Sequence, residues 1–418
     1  MGHLTAKNGY ENLVARLNKF PLGAPPSETL YKILGLLLDE REAELVSKLP
    51  IRAFTAETAA KRWEMPVQEA TDILDSLARR ALLVDILKGE TTHYILPPPM
   101  AGFIEFSMMR IREDIDQHSL GQLLYQYMNV EEDFIRALFF ETDTKIVRAF
   151  VNEPALSQPE MLEIMDYERA TEVIKGADHI GVGVCYCRHK MSHMGKQCDA
   201  PMEICMTFGN VADSLIRSGY AKRITSEECL ALLNQAYAHN LVQVGENVRN
   251  EVSFICNCCG CCCEALLAAK KFGTTLTMAT TNYLPQISHE SCTRCGKCVQ
   301  VCPVDALYWD QEKSPELLSL KEEMCLGCGI CVRNCHFGAL ELARRERRVM
   351  TPVNTVHRVV LTAIDKGMLP NLIFDNDALA SHRVLASILS AILTMPPAKQ
   401  LLANEQIRSK YLAKLIGH

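Results

Sequence analysis

The sequence predicts a multidomain protein of the α+β class, and three patterns carry this prediction. Helical spacing of apolar residues dominates both the N-terminal and the C-terminal parts of the chain. Two short runs rich in β-branched residues, HIGVGVCYC and VSFICNCC, are typical of buried strands, and each ends in cysteines. Further on, eight cysteines stand in two near-copies of one pattern. A chain of 418 residues is long enough to form several domains.

These patterns divide the chain into five predicted segments. They are an N-terminal segment of helices and a hairpin, a helical connector, a cysteine-rich segment with an α/β pattern, a segment that contains the repeats, and a helical tail, at residues 1–105, 106–176, 177–285, 286–345 and 346–418. In the tail, TVHRVVLTAIDKGMLP ends at the stop signals Gly367 and Pro370. RVLASILSAILTM has the length of a core helix, with docking at a membrane surface as the alternative. The run ARRERRV could steer an acidic partner, although such runs are more often solvated.

The first segment resembles a winged-helix domain in the order of its elements. SETLYKILGLLL opens with Ser27 as an N-cap, and further helical stretches follow. A turn-prone centre, Lys88-Gly89-Glu90, then separates two strand-like runs.

The second helix of this segment carries acidic residues where a DNA-reading helix carries basic ones. Three apolar side chains are expected to face inward, namely Ile73, Leu74 and Leu77. The outward side then holds Gln68, Glu69, Asp72 and Asp75. Because carboxylates repel phosphate, a scaffold or protein-docking role is favoured, with DNA binding as the alternative.

Composition and charge exclude some classes of function. The net charge is −6, so no general basic field favours nucleic acid or an anionic membrane. The first twenty residues contain no apolar stretch of the signal-peptide type, and no run of about 18 apolar residues predicts a membrane span. Nineteen cysteines at short spacings then indicate metal ligation in a reducing cytoplasm rather than disulfide bonds.

The cysteines of the fourth segment follow the pattern C-x2-C-x2-C-x3-C twice. The first copy consists of Cys292, Cys295, Cys298 and Cys302, and the second of Cys325, Cys328, Cys331 and Cys335. Three thiolates separated by two residues fit around three irons of a cubic cluster, whereas zinc sites use ligand pairs separated by a longer loop. The spacing therefore predicts two [4Fe-4S] clusters.

This double motif resembles the two-cluster ferredoxin domain of bacteria. The resemblance implies that the fourth cysteine of each run ligates the other cluster. One set is then Cys292, Cys295, Cys298 and Cys335, and the other is Cys325, Cys328, Cys331 and Cys302. His336 stands where the second motif has proline, and this departure affects no ligand.

A second group of cysteines lies upstream, in CYCRHKMSHMGKQCDAPMEIC and CNCCGCCC. Its members are Cys185, Cys187, Cys198, Cys205, Cys256, Cys258, Cys259, Cys261, Cys262 and Cys263. If the two cysteine-ended strands are neighbours in one sheet, their carboxyl ends converge at one edge, where open α/β sheets place their sites. The first four cysteines could complete one cluster and four of the other six a second. We therefore expect one or two additional iron–sulfur clusters, with zinc and a thiol relay as alternatives.

Basic side chains stand among the first of these cysteines, namely Arg188, His189, Lys190, His193 and Lys196. Their charge would raise the reduction potential of a nearby cluster, and the histidines are expected beside ligands or at the surface rather than as ligands. Cys229 lies alone in a helical run that opens with Thr225 and Glu228 in capping-box spacing. We interpret Cys229 as a small, buried core residue.

The whole chain also resembles a group of 4Fe-4S ferredoxin-type proteins of anaerobes, in which CxCR, NCCGCCC and a dicluster module occur together. That resemblance implies no particular reaction. The sequence has no G-x-G-x-x-G after a strand, no P-loop and no Ser-His-Asp order, so no nicotinamide, flavin or triad chemistry is predicted.

The sequence thus predicts a cytoplasmic iron–sulfur protein that passes single electrons to or from a redox partner protein. The first alternative is a ferredoxin-dependent reductase whose active site is the upstream cysteine group, with an open iron site or a free thiol such as Cys263. The second alternative is a redox-sensing, DNA-binding regulator, which the acidic helix disfavours.

Overall fold

The computed structural model describes residues 6–157, 161, 164–312, 316–346 and 348–374, which form two compact units. The first unit takes in the described residues up to Thr144, Arg217–Tyr220 and the segment from Val356 onward. The second takes in Lys145–Ile216 and Ala221–Thr355. Within this part of the chain, every helix is too short or too polar to cross a membrane. The predicted helix around RVLASILSAILTM lies outside the described residues.

Helices dominate the first unit. In chain order they are α1 (Ala6–Leu17), α2 (Glu28–Leu37), α3 (Glu40–Ser47), α4 (Ala56–Trp63), α5 (Val67–Arg79), α6 (Ile104–Phe106), α7 (Gln117–Tyr125) and α8 (Asp133–Phe139). The hairpin after α5 consists of β1 (Val84–Lys88) and β2 (Thr91–Ile95). Late in the chain come the helices Thr355–Asp365 and Leu369–Phe374, separated by Gly367 at φ +68°. Gly367 thus acts as the predicted stop signal, because its left-handed backbone ends a helix without steric strain.

The segment from α2 to β2 is held together by local caps and by a small core. The hydroxyl of Ser27 accepts a hydrogen bond from the N–H of Leu30 at 3.0 Å, which confirms the predicted N-cap. The hairpin forms around the predicted turn, and Phe54 pairs with Tyr94 of β2 on the side away from β1. Helices α4 and α5 precede this hairpin directly. The assignment of the segment to the winged-helix class remains a prediction.

Helix α5 differs from the predicted arrangement at its acidic face. Leu74 and Leu77 are buried as predicted and Ile73 is only half-buried, while Gln68, Glu69 and Asp72 are exposed. Asp75, however, accepts a hydrogen bond from the hydroxyl of Tyr94 at 2.6 Å and so contacts the hairpin. The exposed carboxylates that remain are still unfavourable next to phosphate.

The second unit is built on a sheet with the order β3-β7-β8-β5-β4-β6, in which all neighbours are antiparallel. Its strands are β3 (Val147–Ala149), β4 (Ile180–Val184), β5 (Glu203–Phe208), β6 (Lys222–Arg223), β7 (Val242–Glu246) and β8 (Phe254–Cys258). The two cysteine-ended strands β4 and β8 are therefore not neighbours in this sheet, and the sheet is antiparallel. Because β5 lies between these two strands and runs antiparallel to both, β4 and β8 point the same way. Their cysteine-bearing carboxyl ends consequently reach one edge of the sheet.

Helices of the second unit connect these strands or lie within the two cysteine repeats. They are α9 (Ala170–Lys175), α10 (Tyr186–His193), α11 (Gly209–Arg217), α12 (Ser226–Ala238), α13 (Glu264–Phe272), α14 (Lys297–Val301) and α15 (Ile330–Arg333). The capping box predicted for α12 is present, with Thr225 and Glu228 as its two members. Cys229 on α12 is fully buried in an apolar cluster with Met206 and Ile255, which confirms the interpretation of Cys229 as a core residue.

The repeat segment forms two short antiparallel pairs and two short helices. The strands are β9 (Tyr283–Ile287), β10 (Leu307–Asp310), β11 (Leu317–Leu320) and β12 (Leu340–Arg344), with β9 paired to β12 and β10 to β11. Helices α14 and α15 each follow a glycine in the left-handed region, Gly296 at φ +73° and Gly329 at φ +80°. Each glycine lets the chain turn sharply from a cysteine loop into a helix that carries further cysteines.

Candidate metal centres

Four cysteines from both repeats line a single cavity. Cys302 of the first repeat and Cys325, Cys328 and Cys331 of the second are all among the residues that line it. We call these four residues the second cluster set. A space lined by four thiols in this way suits a [4Fe-4S] cluster, in which each cysteine ligates a different iron. The structure thus brings Cys302 to the three cysteines of the other repeat, as a crossed arrangement requires.

Burial raises the pKa of the three thiols that the second repeat contributes to the second cluster set. Desolvation raises the pKa of Cys325 to about 11 and that of Cys328 to about 12, and the nearby Cys302 adds to both effects. Desolvation also raises the pKa of Cys331 well above its ordinary value. A bound metal ion removes the thiol proton outright, so this donor set is suited to a metal rather than to free thiolates.

Backbone and arginine groups surround the same set. The N–H of Gly327 donates to the Sγ of Cys325 at 3.4 Å, and the N–H of Ala306 donates to the Sγ of Cys302 at 3.2 Å. Such donors stabilise negative charge on ligand sulfurs. Arg345 of the basic run donates to the carbonyl oxygens of Thr281 and Cys325, at 3.0 and 2.7 Å. Arg345 is therefore fixed beside the cavity and is not part of a solvated face.

The other predicted set, Cys292, Cys295, Cys298 and Cys335, lies nearer the surface, and we call it the first cluster set. Cys298 is buried, and Cys335 packs against the apolar cluster that contains Cys298. Cys295 is exposed and Cys292 is half-buried. Phe337, two residues beyond Cys335, has 54% of its surface exposed. This side of the repeat segment is thus open to solvent and to a partner.

The upstream cysteines separate into two groups rather than into the two sets predicted from their order in the chain. The larger group, which we call the cysteine ring, consists of Cys185, Cys187, Cys205, Cys256, Cys258 and Cys263. Each thiol of the ring shifts the pKa of two others, in the closed order 185–187–263–258–256–205. Among the described residues, no three thiols of the ring lie within 4.8 Å of one another. The sulfurs of the ring are therefore spread more widely than the ligands of a single ion.

Strand geometry and helix starts explain how the ring forms. Cys256 and Cys258 are two residues apart on β8, so their side chains lie on the same face of the sheet. Cys205 is on the adjacent strand β5. Cys185 and Cys263 are the N-cap residues of α10 and α13. A helix N-terminus favours the thiolate form and a negatively charged ligand, so two of these ends stabilise charge at the ring.

The pKa values of the ring thiols are alternately lowered and raised from one thiol to the next around the ring. Hydrogen bonding with ring neighbours lowers the pKa of Cys185 and Cys263 well below the ordinary value, and lowers that of Cys256 to about 6. The same hydrogen bonds raise the pKa of the three cysteines between them, Cys187, Cys205 and Cys258. Several thiols of the ring are thus already disposed to bind as thiolates. Six sulfurs exceed the four ligands that a [4Fe-4S] cluster needs.

The smaller group, which we call the cysteine tetrad, consists of Cys198, Cys259, Cys261 and Cys262. All four sulfurs lie within 4.8 Å of one another. The sulfur of Cys198 is 3.6 Å from that of Cys259 and 3.9 Å from that of Cys262. The sulfurs of Cys261 and Cys262 are 3.8 Å apart. Hydrogen bonding with Cys262 lowers the pKa of Cys259 to about 5, and desolvation raises that of Cys261 to about 12.

A buried arginine stands between the ring and the tetrad. Arg188 is fully buried and donates to the carbonyl oxygens of Pro201 and Asn257, at 2.9 and 2.7 Å. Burial alone would lower its pKa, but the neighbouring cysteines Cys185, Cys259 and Cys205 of the ring and the tetrad raise it overall. Arg188 therefore supplies positive charge to both groups.

The other basic residues predicted near these cysteines have different surroundings. Lys190 forms a buried ion pair with Glu264, the residue after Cys263, so its charge is largely neutralised. The rings of His189 and His193 lie 4.9 Å apart. The sequence alone did not indicate the role of Glu264, because nothing local connects it to a lysine 74 positions earlier.

The upstream cysteines directly adjoin the repeat segment. A Cβ atom at Gly260, within the CNCCGCCC turn, would lie 3.0 Å from the carbonyl carbon and 3.1 Å from the Cα of Pro303. Pro303 follows Cys302 of the second cluster set. Lys270 on α13 also pairs with Asp305 at 3.0 Å. Only glycine allows the turn to approach the repeat segment this closely.

Comparison with known proteins identifies one part of the chain. Residues 291–348 match the family described as the 4Fe-4S dicluster domain. The comparison with curated proteins and the comparison with solved structures each gave no match. The matched domain and the many cysteines support iron–sulfur cofactors and indicate iron–sulfur electron transfer.

Proposed function

We propose that this protein carries single electrons through three iron–sulfur clusters, held by the first cluster set, the second cluster set and the cysteine ring. The close approach of Gly260 to Pro303 carries this proposal, because it joins the upstream cysteines to the residue after a ligand of the second set. The exposed side of the first set would exchange electrons with a soluble redox partner protein. When bound, the clusters supply the one-electron chemistry.

The remaining chain positions these centres. Backbone N–H groups at Cys325 and Cys302 stabilise the sulfurs of the second set, and two helix N-termini do the same at the ring. Arg188 contributes positive charge beside the ring. The N-terminal helices and hairpin are proposed to dock a partner oxidoreductase rather than DNA, given the exposed Glu69 and Asp72.

Metal and sulfide analysis of anaerobically purified protein tests the proposal. We expect about twelve irons and about twelve acid-labile sulfides per chain, at four of each per cluster. EPR spectra of the reduced protein should contain signals from three centres. About eight irons would limit the clusters to the repeat segment and contradict the role of the ring, and an iron-poor protein would contradict the proposal as a whole.

Replacement of Gly260 by alanine tests the connection between the ring and the repeat segment. The new Cβ would collide with the backbone of Pro303, so the turn must move away, at a cost of about 1–3 kcal/mol in stability. We expect the iron content to be retained. The transfer of electrons from the clusters of the repeat segment to that of the ring should become slower, as measured by rapid-freeze EPR. Gly35→Ala is a suitable control, because a Cβ there has its nearest neighbour at 3.8 Å. An unchanged rate in Gly260→Ala would contradict the proposed route.

A reductase with its active site at the ring is the second candidate function. The observation that favours it is the excess of ring thiols, since two of the six remain after a [4Fe-4S] cluster has taken four. An assay for turnover of a small substrate distinguishes a reductase from an electron carrier. A reductase consumes a small substrate with reduced ferredoxin as the sole electron source, whereas an electron carrier only reduces another protein.

A further inference from the structure

The cysteine tetrad differs in size from the sites that suit an iron–sulfur cluster. Its sulfurs are separated by 3.6, 3.8 and 3.9 Å in the measured pairs, and all of them lie within 4.8 Å. A tetrahedral ion with Zn–S bonds of about 2.3 Å has ligand sulfurs about 3.8 Å apart, from the geometry of a tetrahedron. The tetrad therefore already has the dimensions of a single-ion site.

A cubic cluster would require a wider arrangement. Its four irons and four sulfides must fit inside the ligand sulfurs, so these sulfurs stand much farther apart than the ligands of one ion. Among the described residues, neither the second cluster set nor the ring has three sulfurs within 4.8 Å of one another, so both are wider than the tetrad. In the described part of the chain, the tetrad alone combines four ligand atoms at such short mutual separations.

The chemistry of the donors selects the ion. Four sulfur ligands in a tetrahedron suit either zinc or iron, and zinc binds more tightly than ferrous iron to a given set of ligands. The charge of four thiolates exceeds that of one divalent ion, and the buried Arg188 guanidinium beside Cys198 and Cys259 offsets part of the excess. A closed set of four protein ligands is typical of structural rather than catalytic zinc.

We propose that Cys198, Cys259, Cys261 and Cys262 bind one zinc ion, which ties the loop after α10 to the turn after β8. This turn follows Cys258, contains Gly260 and continues to Cys263, so the ion holds in place both the neighbouring ring ligands and the contact with Pro303. The zinc site has a structural role and takes no part in electron transfer. It lies outside the three clusters proposed above.

Two measurements on the full chain test this site: metal analysis and X-ray absorption at the zinc edge. The protein is purified anaerobically from cells grown in medium that contains both iron and zinc. We expect one zinc per chain with four sulfur neighbours at about 2.3 Å. Cys198→Ala should reduce the zinc content at least tenfold while iron and sulfide stay at the wild-type level. Cys198 is the best position for this variant, because no ring cysteine is adjacent to it in the chain.

Two further variants guard against a folding effect. Cys261→Ala, at the exposed member of the tetrad, should give the same loss of zinc, whereas Cys229→Ala, at a buried cysteine outside all groups, should retain zinc and iron. A loss of about four irons in Cys198→Ala would identify a cluster instead and overturn the proposal. The proposal would also be overturned if the wild-type protein contained no zinc, or if its zinc had fewer than four sulfur neighbours, regardless of the results with the variants. Iron and sulfide contents test the electron-transfer proposal separately.

Discussion

Replacement of Cys302 by serine is expected to remove the cluster of the second set while leaving that of the first set in place. Cys302 shares one cavity with Cys325, Cys328 and Cys331, although it belongs to the other repeat. Losing one of four thiolates leaves an iron without its protein ligand and strongly weakens cluster binding. The iron content should fall by about four per chain, and one EPR signal should disappear.

Double variants identify which cluster Cys302 serves. With crossed ligation, Cys302→Ser combined with Cys325→Ser removes no more iron than either change alone, because both residues hold one cluster. Cys302→Ser combined with Cys292→Ser removes about eight irons, since two clusters are affected. Cys229→Ser provides the control for a cysteine that binds no metal. If the 302/292 pair lost only about four irons, each repeat would bind its own cluster and the crossed assignment would be wrong.

The repeat segment could be predicted from the sequence because its ligands are set by local spacing. Cys325, Cys328 and Cys331 lie within one loop and one helical turn, so the distances between them depend little on the rest of the fold. The left-handed glycines before α14 and α15 likewise belong to the local cysteine motif, so their positions can be read from the sequence. The crossing of Cys302 came from the resemblance to a known domain, and the shared cavity is consistent with it.

The grouping of the upstream cysteines could not be predicted, because it depends on strand order. Runs rich in β-branched residues indicate strands but do not reveal their direction, so the antiparallel β5 between β4 and β8 was not foreseen. As a result, Cys205 on β5 joins the ring, while Cys198 of the preceding loop joins cysteines more than 60 positions away. The acidic face of α5 was largely predicted, except that Asp75 binds Tyr94.

The position of Arg188 shows how the fold couples the two upstream groups. The motif CxCR places an arginine beside two cysteines, but its full burial depends on the tertiary fold, which brings it to the carbonyl of Asn257 on β8. Its side chain is held by the carbonyl groups of Pro201 and Asn257. The guanidinium thus stays at a fixed place between the thiolates of both groups.

Arg188→Met is expected to lower the reduction potential of the ring cluster by roughly 100 mV. A positive charge a few Å away contributes a few kcal/mol at an effective dielectric constant of about 20, and 59 mV corresponds to a tenfold change for one electron. Removing that charge disfavours the reduced, more negative cluster. Potentiometric titration followed by EPR measures the shift, and Arg188→Lys should restore part of it because the charge is kept.

Stability must be separated from the electrostatic effect. Arg188→Met leaves the buried carbonyl oxygen of Asn257 and the partly buried one of Pro201 without their donor, and the first alone destabilises the fold by about 1–3 kcal/mol. Arg16 is a matched control, since it is also buried and donates to two backbone carbonyls, those of Leu49 and Pro50. Arg16→Met should lose comparable stability with unchanged potentials. A similar shift in both variants, or none in Arg188→Met, would show that Arg188 does not tune the ring.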